Sequence, residues 1–181
     1  MKSTVKKLAA AVLGEYALYQ IWQAAPAATI PWPQDVGLQE VTGADLLACE
    51  AAEFRDSAWY LGEEACGFGA FRDGRMLALV CCQWGARYAG RRSWPLPEGA
   101  AKIVHIVTLP AARGLGLAPV LIQHAESTLR EQGRAPLLAR IWHSNAPSMR
   151  AFKRAGWQPI GWLALVNPLR RKQPWRLTYR T

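Results

Sequence analysis

The chain has 181 residues, of which 51% are hydrophobic and 19% charged, which suits one folded domain and excludes disordered and collagen-like chains. No apolar run reaches the roughly 18 residues that a membrane-spanning helix needs. The four cysteines have no metal-ligand spacing and two are adjacent, so we interpret them as small core residues in a reducing compartment and expect neither disulfides nor a metal site: Cys49, Cys66, Cys81 and Cys82.

The formal net charge of +9 belongs to the last part of the chain. Residues 132–181 hold ten lysines and arginines and no acidic residue, whereas residues 1–131 hold 12 basic and 13 acidic residues. Such a concentration attracts an anionic partner, such as a nucleic acid, lipid headgroups or a phosphorylated cofactor. The alternative is a basic surface that is simply solvated.

Residues 1–23 predict an N-terminal amphipathic helix, because apolar side chains recur there at intervals of three and four: Val5, Leu8, Val12, Tyr16 and Tyr19. That face would pack on the domain or a partner, or lie on a membrane surface as a peripheral contact. A secretion signal fits less well, since Gly14 and Glu15 interrupt the apolar stretch.

Residues 24–36 contain three prolines and are predicted to be a linker, after which residues 37–181 form the domain. The predicted order in the domain is β-α-β-β-β-α-β-α-β-β, an α/β class with a mixed sheet. The predicted strands span residues 38–41, 65–71, 75–84, 102–108, 137–142, 160–166 and 175–179. The predicted helices span residues 44–54, capped by Thr42 or Asp45, 116–132 and 147–155. Residues 72–74 predict a hairpin turn, and residues 86–99 a loop.

A glycine-rich loop joins the fourth predicted strand to the second predicted helix. It reads Arg113, Gly114, Leu115, Gly116, Leu117 and Ala118. Glycines in a strand-to-helix turn let backbone N–H groups approach a ligand, and the N-terminus of a helix adds unsatisfied donors and partial positive charge. The loop therefore predicts a pyrophosphate cradle.

A second element lies further along the chain, where Asn145 is followed by Ser148, Phe152, Gly156 and Trp157. With these two elements the sequence resembles the GNAT superfamily of acyltransferases, which use acyl-coenzyme A. The family's R-x-x-G-x-[GA] loop matches Arg113, Gly116 and Ala118, and its N-x-x-[AS] and G-[FW] pattern matches the second element. The resemblance is close over residues 101–162, extends through element order over 38–180, and does not reach residues 1–36.

The resemblance implies a mostly antiparallel sheet flanked by helices and splayed between strand 102–108 and strand 137–142. It implies that acetyl-CoA, or another acyl-CoA, binds in the gap as a co-substrate, with its pantetheine arm against the first of these strands. A backbone N–H near Val107 or Thr108 would polarise the thioester carbonyl. The implied coenzyme-binding residues are Ile106, Val107, Thr108, Arg113, Gly114, Leu115, Gly116, Leu117, Ala118, Asn145, Ser148, Phe152 and Lys153, with Arg150 and Arg154 within reach of the adenosine phosphates.

The implied chemistry is direct attack of a deprotonated amine on the thioester. The sequence departs from the family at Phe152, where a tyrosine often protonates the leaving thiolate. Ser148, on the same helix face, is the nearest replacement. It would otherwise only hydrogen-bond the pantetheine, and solvent could protonate the thiolate.

His105 is the first candidate for the catalytic base, since it lies on the strand beside the acyl group. Strand alternation opposes this role, because the positions that relatives use correspond to Lys102 and Val104. His105 would then face the other side unless a bulge intervenes. Other candidates are His143 and the pair Glu63 and Glu64, whereas His124, in mid-helix, is interpreted as structural.

We therefore predict an acetyl-CoA-dependent N-acyltransferase acting on a primary amine of a small molecule. The chain has nine tryptophans, of which Trp32, Trp59 and Trp94 fall in predicted loops, where they would stack on an acceptor such as an amino sugar or act as hydrophobic plugs. The alternative is a non-catalytic acyl-CoA sensor or adaptor whose basic C-terminal region contacts an anionic partner. Nucleic acid is not favoured, because no nucleic-acid-binding motif occurs. Acetyl-CoA chemistry favours a cytoplasmic location, with membrane contact only through residues 1–23.

Overall fold

The computed structural model describes residues 15–26, 29–90, 94–167 and 175–180, which fold as one mixed sheet with helices on both faces. The strands are β1 (Glu15–Gln23), β2 (Gly37–Val41), β3 (Ala65–Arg72), β4 (Arg75–Gln83), β5 (Ala101–Thr108), β6 (Leu137–Trp142), β7 (Gln158–Asn167) and β8 (Trp175–Arg180). The helices are α1 (Gly43–Leu47), α2 (Ala52–Arg55), α3 (Gly85–Ala89), α4 (Leu117–Glu131) and α5 (Ala146–Arg154). Two short 3-10 turns span Ala58–Tyr60 and Pro110–Ala112.

The eight strands are ordered β2-β3-β4-β5-β6-β1-β7-β8. Every neighbouring pair is antiparallel except β5 and β6, which run parallel. This confirms the predicted class, a mixed and mostly antiparallel sheet flanked by helices.

The predicted N-terminal helix is wrong for residues 15–23, which form β1 between β6 and β7. Ile21 packs in a cluster on one face of the sheet and Trp22 in a cluster on the other, so both faces of this strand are covered. A strand buried on both faces is apolar nearly throughout, and such a run also contains residues at helical spacing. The first part of the predicted helix, residues 1–14, lies outside the described residues.

The domain therefore includes residues before 37. The described residues of the predicted linker pack against the domain. The Ile30 N–H donates to Gln123 Oε1 on α4 at 2.9 Å, and Val36 is buried in the main core. The prolines exclude regular structure, as predicted, but the segment still packs against the domain.

The two faces of the sheet are covered differently. Helix α4 packs on β3, β4 and β5 on one face, which we call the α4 face. On the other, the α1 face, Leu46 of α1 and Phe54 of α2 pack against β4. A separate cluster on the α1 face joins Ile21, Trp94 and Leu163 over β6, β1 and β7. The first cluster of the α1 face reaches Val104 and Val107 of β5 and the second reaches Leu138 of β6, so the boundary between the clusters follows the boundary between β5 and β6.

Local signals explain most turns. Asp73 and Gly74 have positive φ angles of 49° and 72° and form the predicted hairpin turn. Thr42 and Asp45 form a reciprocal capping box at the start of α1. The backbone N–H of Thr42 donates to the Asp45 carboxylate and lowers the pKa of that group.

Two predicted elements differ from the structure. The predicted helix 44–54 is divided into α1 and α2, and Arg55 donates to the carbonyls of Cys49 and Glu50 at the break. The predicted loop 86–99 includes most of α3, whose first turn is capped by a carboxylate: the Arg87 N–H donates to Glu64 Oε2 at 3.0 Å.

The cysteines are free, and those at 66, 81 and 82 are buried, as predicted for core residues. Burial raises the pKa of the Cys81 thiol to about 12, which keeps it protonated and unreactive. Within the described ranges, no cluster of His, Cys, Asp or Glu could hold a metal ion. No helix in the part of the chain that the structure describes is long and apolar enough to cross a membrane.

The central position of β1 gives a stability prediction. Ile21→Ala leaves a cavity at a side chain that is only 1% exposed, and we expect it to lower the free energy of unfolding by about 2–4 kcal/mol. Leu177→Ala, on the edge strand β8, removes a side chain that is 63% exposed and should cost less than about 0.5 kcal/mol. Urea unfolding followed by circular dichroism measures both, and equal losses would contradict the central position of β1.

Candidate active site

The site begins where two parallel strands separate. β5 and β6 pair only through Ala101–Leu137, Lys102–Leu138 and Ile103–Ala139, and no further pair follows. From Val104 onward the edge of β5 that faces β6 has no strand beside it in the described chain. The predicted splay is therefore present, and it leaves a V-shaped gap whose apex lies just past Ile103 and Ala139.

An irregularity in β5 lies at this apex. Opposite β4, Ile103 pairs with Cys82 and His105 pairs with Cys81, so Val104 is an extra residue and forms a β-bulge. As a result Val104 and His105 both face the α1 face, where Val104 packs in the cluster of Leu46 and His105 contacts Tyr60. The bulge is the exception that the sequence analysis named, so strand alternation no longer opposes His105 as a candidate base.

The glycine-rich loop and the start of α4 border the gap on the α4 face. Gly116 is the N-cap of α4 with a φ of +77°, and no described side chain caps the first turn of this helix. Gly114 also has a positive φ, +86°, so both glycines hold the backbone in a conformation that other residues rarely adopt. The N–H groups of the first turn of α4, such as those of Leu117 and Ala118, and its partial positive charge are therefore available to an anion.

A cleft of about 790 Å³ connects these elements. It brings together β5, the glycine-rich loop, α4 and α5, and most of the predicted coenzyme-binding residues line it. The lining comprises Ile106, Val107, Thr108, Ala112, Arg113, Gly114, Gly116, Leu117, Ala118, Pro119, Asn145, Pro147, Ser148, Arg150, Ala151 and Arg154.

Three predicted coenzyme-binding residues do not line the cleft. Leu115 is exposed at the tip of the loop, and Lys153 lies on the exposed side of α5. Phe152 is buried in the main core, where its ring meets Trp157 edge-to-face at 4.9 Å. Arg150 and Arg154, one turn apart on α5, line the cleft instead.

Asn145 and Ser148 lie together at the start of α5. Asn145 is the N-cap of this helix, and its Oδ1 accepts a hydrogen bond from the Ser148 N–H at 3.2 Å. Both residues line the cleft, so the cap that begins the helix also places Ser148 beside the gap.

His105 is held by a serine and a stack of aromatic rings. Its ring stacks on Tyr60 at 4.5 Å and 10°, and Tyr60 stacks on Trp59 at 3.9 Å. His105 Nε2 lies 3.0 Å from the Oγ of buried Ser57, which donates its hydrogen bond to the Glu53 carbonyl at 2.6 Å. A carbonyl has no proton to give, so the only proton of Ser57 is used there and Ser57 Oγ accepts from His105 Nε2–H. In the neutral ring the lone pair is then on Nδ1.

The other candidate bases have different surroundings. His143 is exposed after the end of β6, beside the Trp142 ring. Glu64 caps α3, and Glu63 is exposed. His124 lies on α4 against Phe68, and burial lowers its pKa, which supports the structural role predicted for it.

The three loop tryptophans are separated. Trp32 lines a groove against α4 and donates to the Val36 carbonyl, so it is on the α4 face. Trp94 is buried and acts as a hydrophobic plug over β6 and β1. Trp59 is 57% exposed and stacks on Tyr60, the ring that in turn stacks on His105.

Those basic residues of the last 50 positions whose side chains the structure describes lie in several separate places. Arg150 and Arg154 line the cleft, Arg134 lies on the Trp84 ring, and Arg140 lies on the Tyr19 ring. Sequence reasoning did not find Ser57 or Tyr60, because these residues come to lie beside His105 only through the packing of their segment on the sheet and through the bulge.

The chain was compared with known proteins. The model of the acetyltransferase (GNAT) family matches residues 28–157. A streptothricin acetyltransferase from Streptomyces lavendulae is 36% identical over 59 residues, which cover 33% of this chain and 31% of the relative.

Solved structures show the same fold at low identity. A GNAT-family protein from Novosphingobium aromaticivorans DSM 12444 has a TM-score of 0.59 at 19% identity, covering 84% of this chain and 64% of that one. The ribosomal-protein-S18-alanine N-acetyltransferase of Escherichia coli has a TM-score of 0.51 at 19% identity, covering 67% and 76% respectively. The chain thus spans about a third of the curated relative's length and just under two thirds of the first structure. With its splayed strands, its glycine-rich loop and a family match over residues 28–157, the chain belongs to the acetyltransferase (GNAT) family.

Proposed function

We propose that this chain transfers an acetyl group from acetyl-CoA to a primary amine of a small molecule. The observation that carries the proposal is the cleft itself, in which separated strands, an uncapped helix N-terminus and several arginines meet. Acetyl-CoA supplies an activated thioester when bound. Members of the family use this donor, and the residues present suit it.

The α4 face would hold the coenzyme. The N–H groups at the start of α4, with Arg113, Arg150 and Arg154, offer hydrogen bonds and positive charge to phosphates. The unpaired edge of β5 from Val104 to Thr108 suits an extended amide-containing chain, which would bind as an added strand. Backbone N–H groups of this edge would polarise a carbonyl oxygen.

The α1 face would hold the acceptor, with His105 as the base. Ser57 would keep the proton of the neutral ring on Nε2, so that Nδ1 takes the amine proton directly or through a water. Phe152 is buried and has no proton to give, so Ser148 or solvent would protonate the leaving thiolate.

The nature of the acceptor is proposed from one relative and one exposed aromatic ring. The Streptomyces lavendulae relative is named for acetylation of streptothricin, which favours a small molecule. The exposed Trp59 ring offers a stacking surface for an acceptor such as an amino sugar. The proposed location is the cytoplasm, because the donor is made there.

The first prediction concerns donor binding. Gly116→Trp should abolish micromolar binding of acetyl-CoA in isothermal titration calorimetry, because its side chain would fill the cradle near Arg154. Gly133→Trp is the matched control, since Gly133 has the same φ of +77° after the other end of α4 and open space around it. The Gly133→Trp variant should have the same backbone strain and still bind acetyl-CoA. Equal loss in both variants would contradict the cradle.

The second prediction concerns the base. His105→Gln should lower kcat by about 100-fold or more, the usual contribution of a positioned base, and leave the acetyl-CoA dissociation constant unchanged. His124→Gln, on α4, is the control and should keep full activity. Steady-state rates from thiol release test this. If His143→Gln lowers kcat and His105→Gln does not, the base is His143.

The third prediction concerns the ring of His105. Ser57→Ala removes the acceptor for Nε2–H and should abolish the preference for that tautomer, which long-range ¹H–¹⁵N NMR of the imidazole reports. Ser127→Ala, on exposed α4 surface, should leave the spectrum unchanged. An unaltered tautomer in Ser57→Ala would show that Ser57 does not set it.

Tight binding of acetyl-CoA without turnover on any amine would favour the alternative, a non-catalytic acyl-CoA sensor. Among the described residues, the separation of Arg134 and Arg140 from the pair Arg150 and Arg154 does not favour one continuous surface for an anionic partner.

A further inference from the structure

Two contacts of the His105 ring come from one short segment of the chain. Ser57 is the N-cap of the 3-10 turn Ala58–Tyr60, and Tyr60 is the last residue of that turn. Ser57 Oγ lies 3.0 Å from His105 Nε2, and the Tyr60 ring stacks on the imidazole at 4.5 Å and 10°. The orientation of the imidazole therefore depends on how firmly this segment is fixed.

Two side chains from outside the segment bind its backbone where the turn ends. The last carbonyls of a helical turn have no partner within the turn and need other donors. The Arg87 guanidinium donates to the carbonyls of Trp59 and Leu61. Gln83 Nε2 donates to the carbonyl between them, that of Tyr60, at 2.7 Å. Three consecutive carbonyls are thus bound by Arg87 and Gln83, which we call the carbonyl clamp.

Both members of the carbonyl clamp are themselves fixed. Gln83 is the last residue of β4 and is only 1% exposed. Arg87 lies on α3, where its backbone N–H donates to the Glu64 carboxylate. That carboxylate packs so closely on Gly85 that an added Cβ there would clash with it. The clamp therefore ties the segment of Ser57 and Tyr60 to the end of β4 and to α3.

Gly62 lets the backbone approach the guanidinium closely. Its φ is +132°, and a Cβ at this position would lie 3.1 Å from Arg87 Nη1. A larger residue would therefore strain the turn and press on the guanidinium that holds the neighbouring carbonyls. The hydrogen bonds of Arg87 are charge-assisted, so they hold the backbone more strongly than those of a neutral donor would.

We infer that Arg87, together with Gln83, is a positioning residue for the proposed base. By fixing the backbone of residues 59–61, the clamp keeps the Tyr60 ring flat on His105 and holds the imidazole in the orientation for proton transfer. The inference rests on the proposed function, because it concerns the base of that reaction. Arg87 acts through Tyr60, and a small misplacement of a reacting group is enough to cost much of the rate.

The first measurement observes the stack without using activity. Protons above an aromatic face are shielded, so the NMR signals of the His105 ring protons should lie upfield while Tyr60 stacks on it. Arg87→Met keeps the length of the side chain but removes its donors, and it should move these signals downfield. Arg55→Met is the matched control and should leave them in place, since Arg55 also donates to two backbone carbonyls, but at the break between α1 and α2. His105→Gln assigns the signals.

The second measurement is the rate of thiol release under saturating acetyl-CoA, with glucosamine, L-lysine and spermidine as trial acceptors. Arg87→Met should lower kcat by about 10- to 100-fold, the cost of a misplaced reacting group, and leave the acetyl-CoA dissociation constant unchanged. The unchanged constant shows that the variant is folded. Arg87→Lys should recover part of the loss, since an ammonium group still donates to a carbonyl. Arg55→Met should keep full activity.

A double-mutant cycle tests whether Arg87 acts through Tyr60. Tyr60→Leu removes the ring and should by itself lower kcat. Adding Arg87→Met to Tyr60→Leu should lower kcat by less than about twofold further, because both changes interrupt the same connection. If the two losses multiply instead, Arg87 acts independently of Tyr60 and the inference is wrong.

Three other outcomes also overturn the inference. If the His105 signals stay in place in Arg87→Met, the clamp does not position the ring, although the proposed function stands. If the signals move and kcat does not change, the position of the ring does not limit the reaction, and the rate of His105→Gln shows whether His105 is the base at all. If a chain that binds acetyl-CoA acetylates none of the trial amines, the proposed function fails and the positioning role fails with it.

Discussion

The end of hydrogen bonding between β5 and β6 is the constraint on which the site depends. Three paired positions, ending at Ile103 and Ala139, hold the strands together, and beyond them the strands diverge. Backbone N–H and C=O groups need partners, so the exposed edge of β5 must be satisfied by water or by an extended ligand. The same divergence opens the sheet to both of its faces. A single interruption of pairing thereby produces the cleft beside α4, and in the proposed function the acceptor would approach the same gap from the α1 face.

The bulge at Val104 decides which chemistry reaches the gap from that approach. Side chains on a regular strand alternate between the two faces of the sheet. A bulge inserts one residue, so every side chain after it points to the opposite face from the one that unbroken alternation would give. His105 consequently turns toward Ser57 and Tyr60 instead of the α4 face. Two features of the backbone, the split and the bulge, thus lie within a few residues of each other and jointly orient the donor edge and the proposed base.

Patterns that act locally were predictable from the sequence, and long-range placements were not. The glycine-rich loop and the hairpin depend on backbone conformations that glycine adopts easily, so their residues identify them directly. The sequence of β1 predicts a helix, because a strand that is covered on both faces lacks the alternation of apolar and polar residues by which a strand is recognised. No residue signals the bulge at Val104, and its effect on His105 appears only when β4 is paired with β5. The family resemblance implies a coenzyme-binding role for Phe152, whereas in the structure its ring packs against Trp157 in the core and does not line the cleft.

The position of β1 also has a consequence for biosynthesis. Both of its sheet neighbours, β6 and β7, follow it by more than a hundred residues in the chain. At typical rates of translation they emerge on the order of ten seconds later, so the nascent β1 must wait with unpaired backbone edges. The β2–β3–β4 meander, by contrast, can pair as soon as it is made. Completion of the sheet is therefore a late event in which an early-synthesised strand is inserted between two late ones, and apolar side chains such as Ile21 and Trp22 are the surface that a nascent-chain chaperone would need to shield until then.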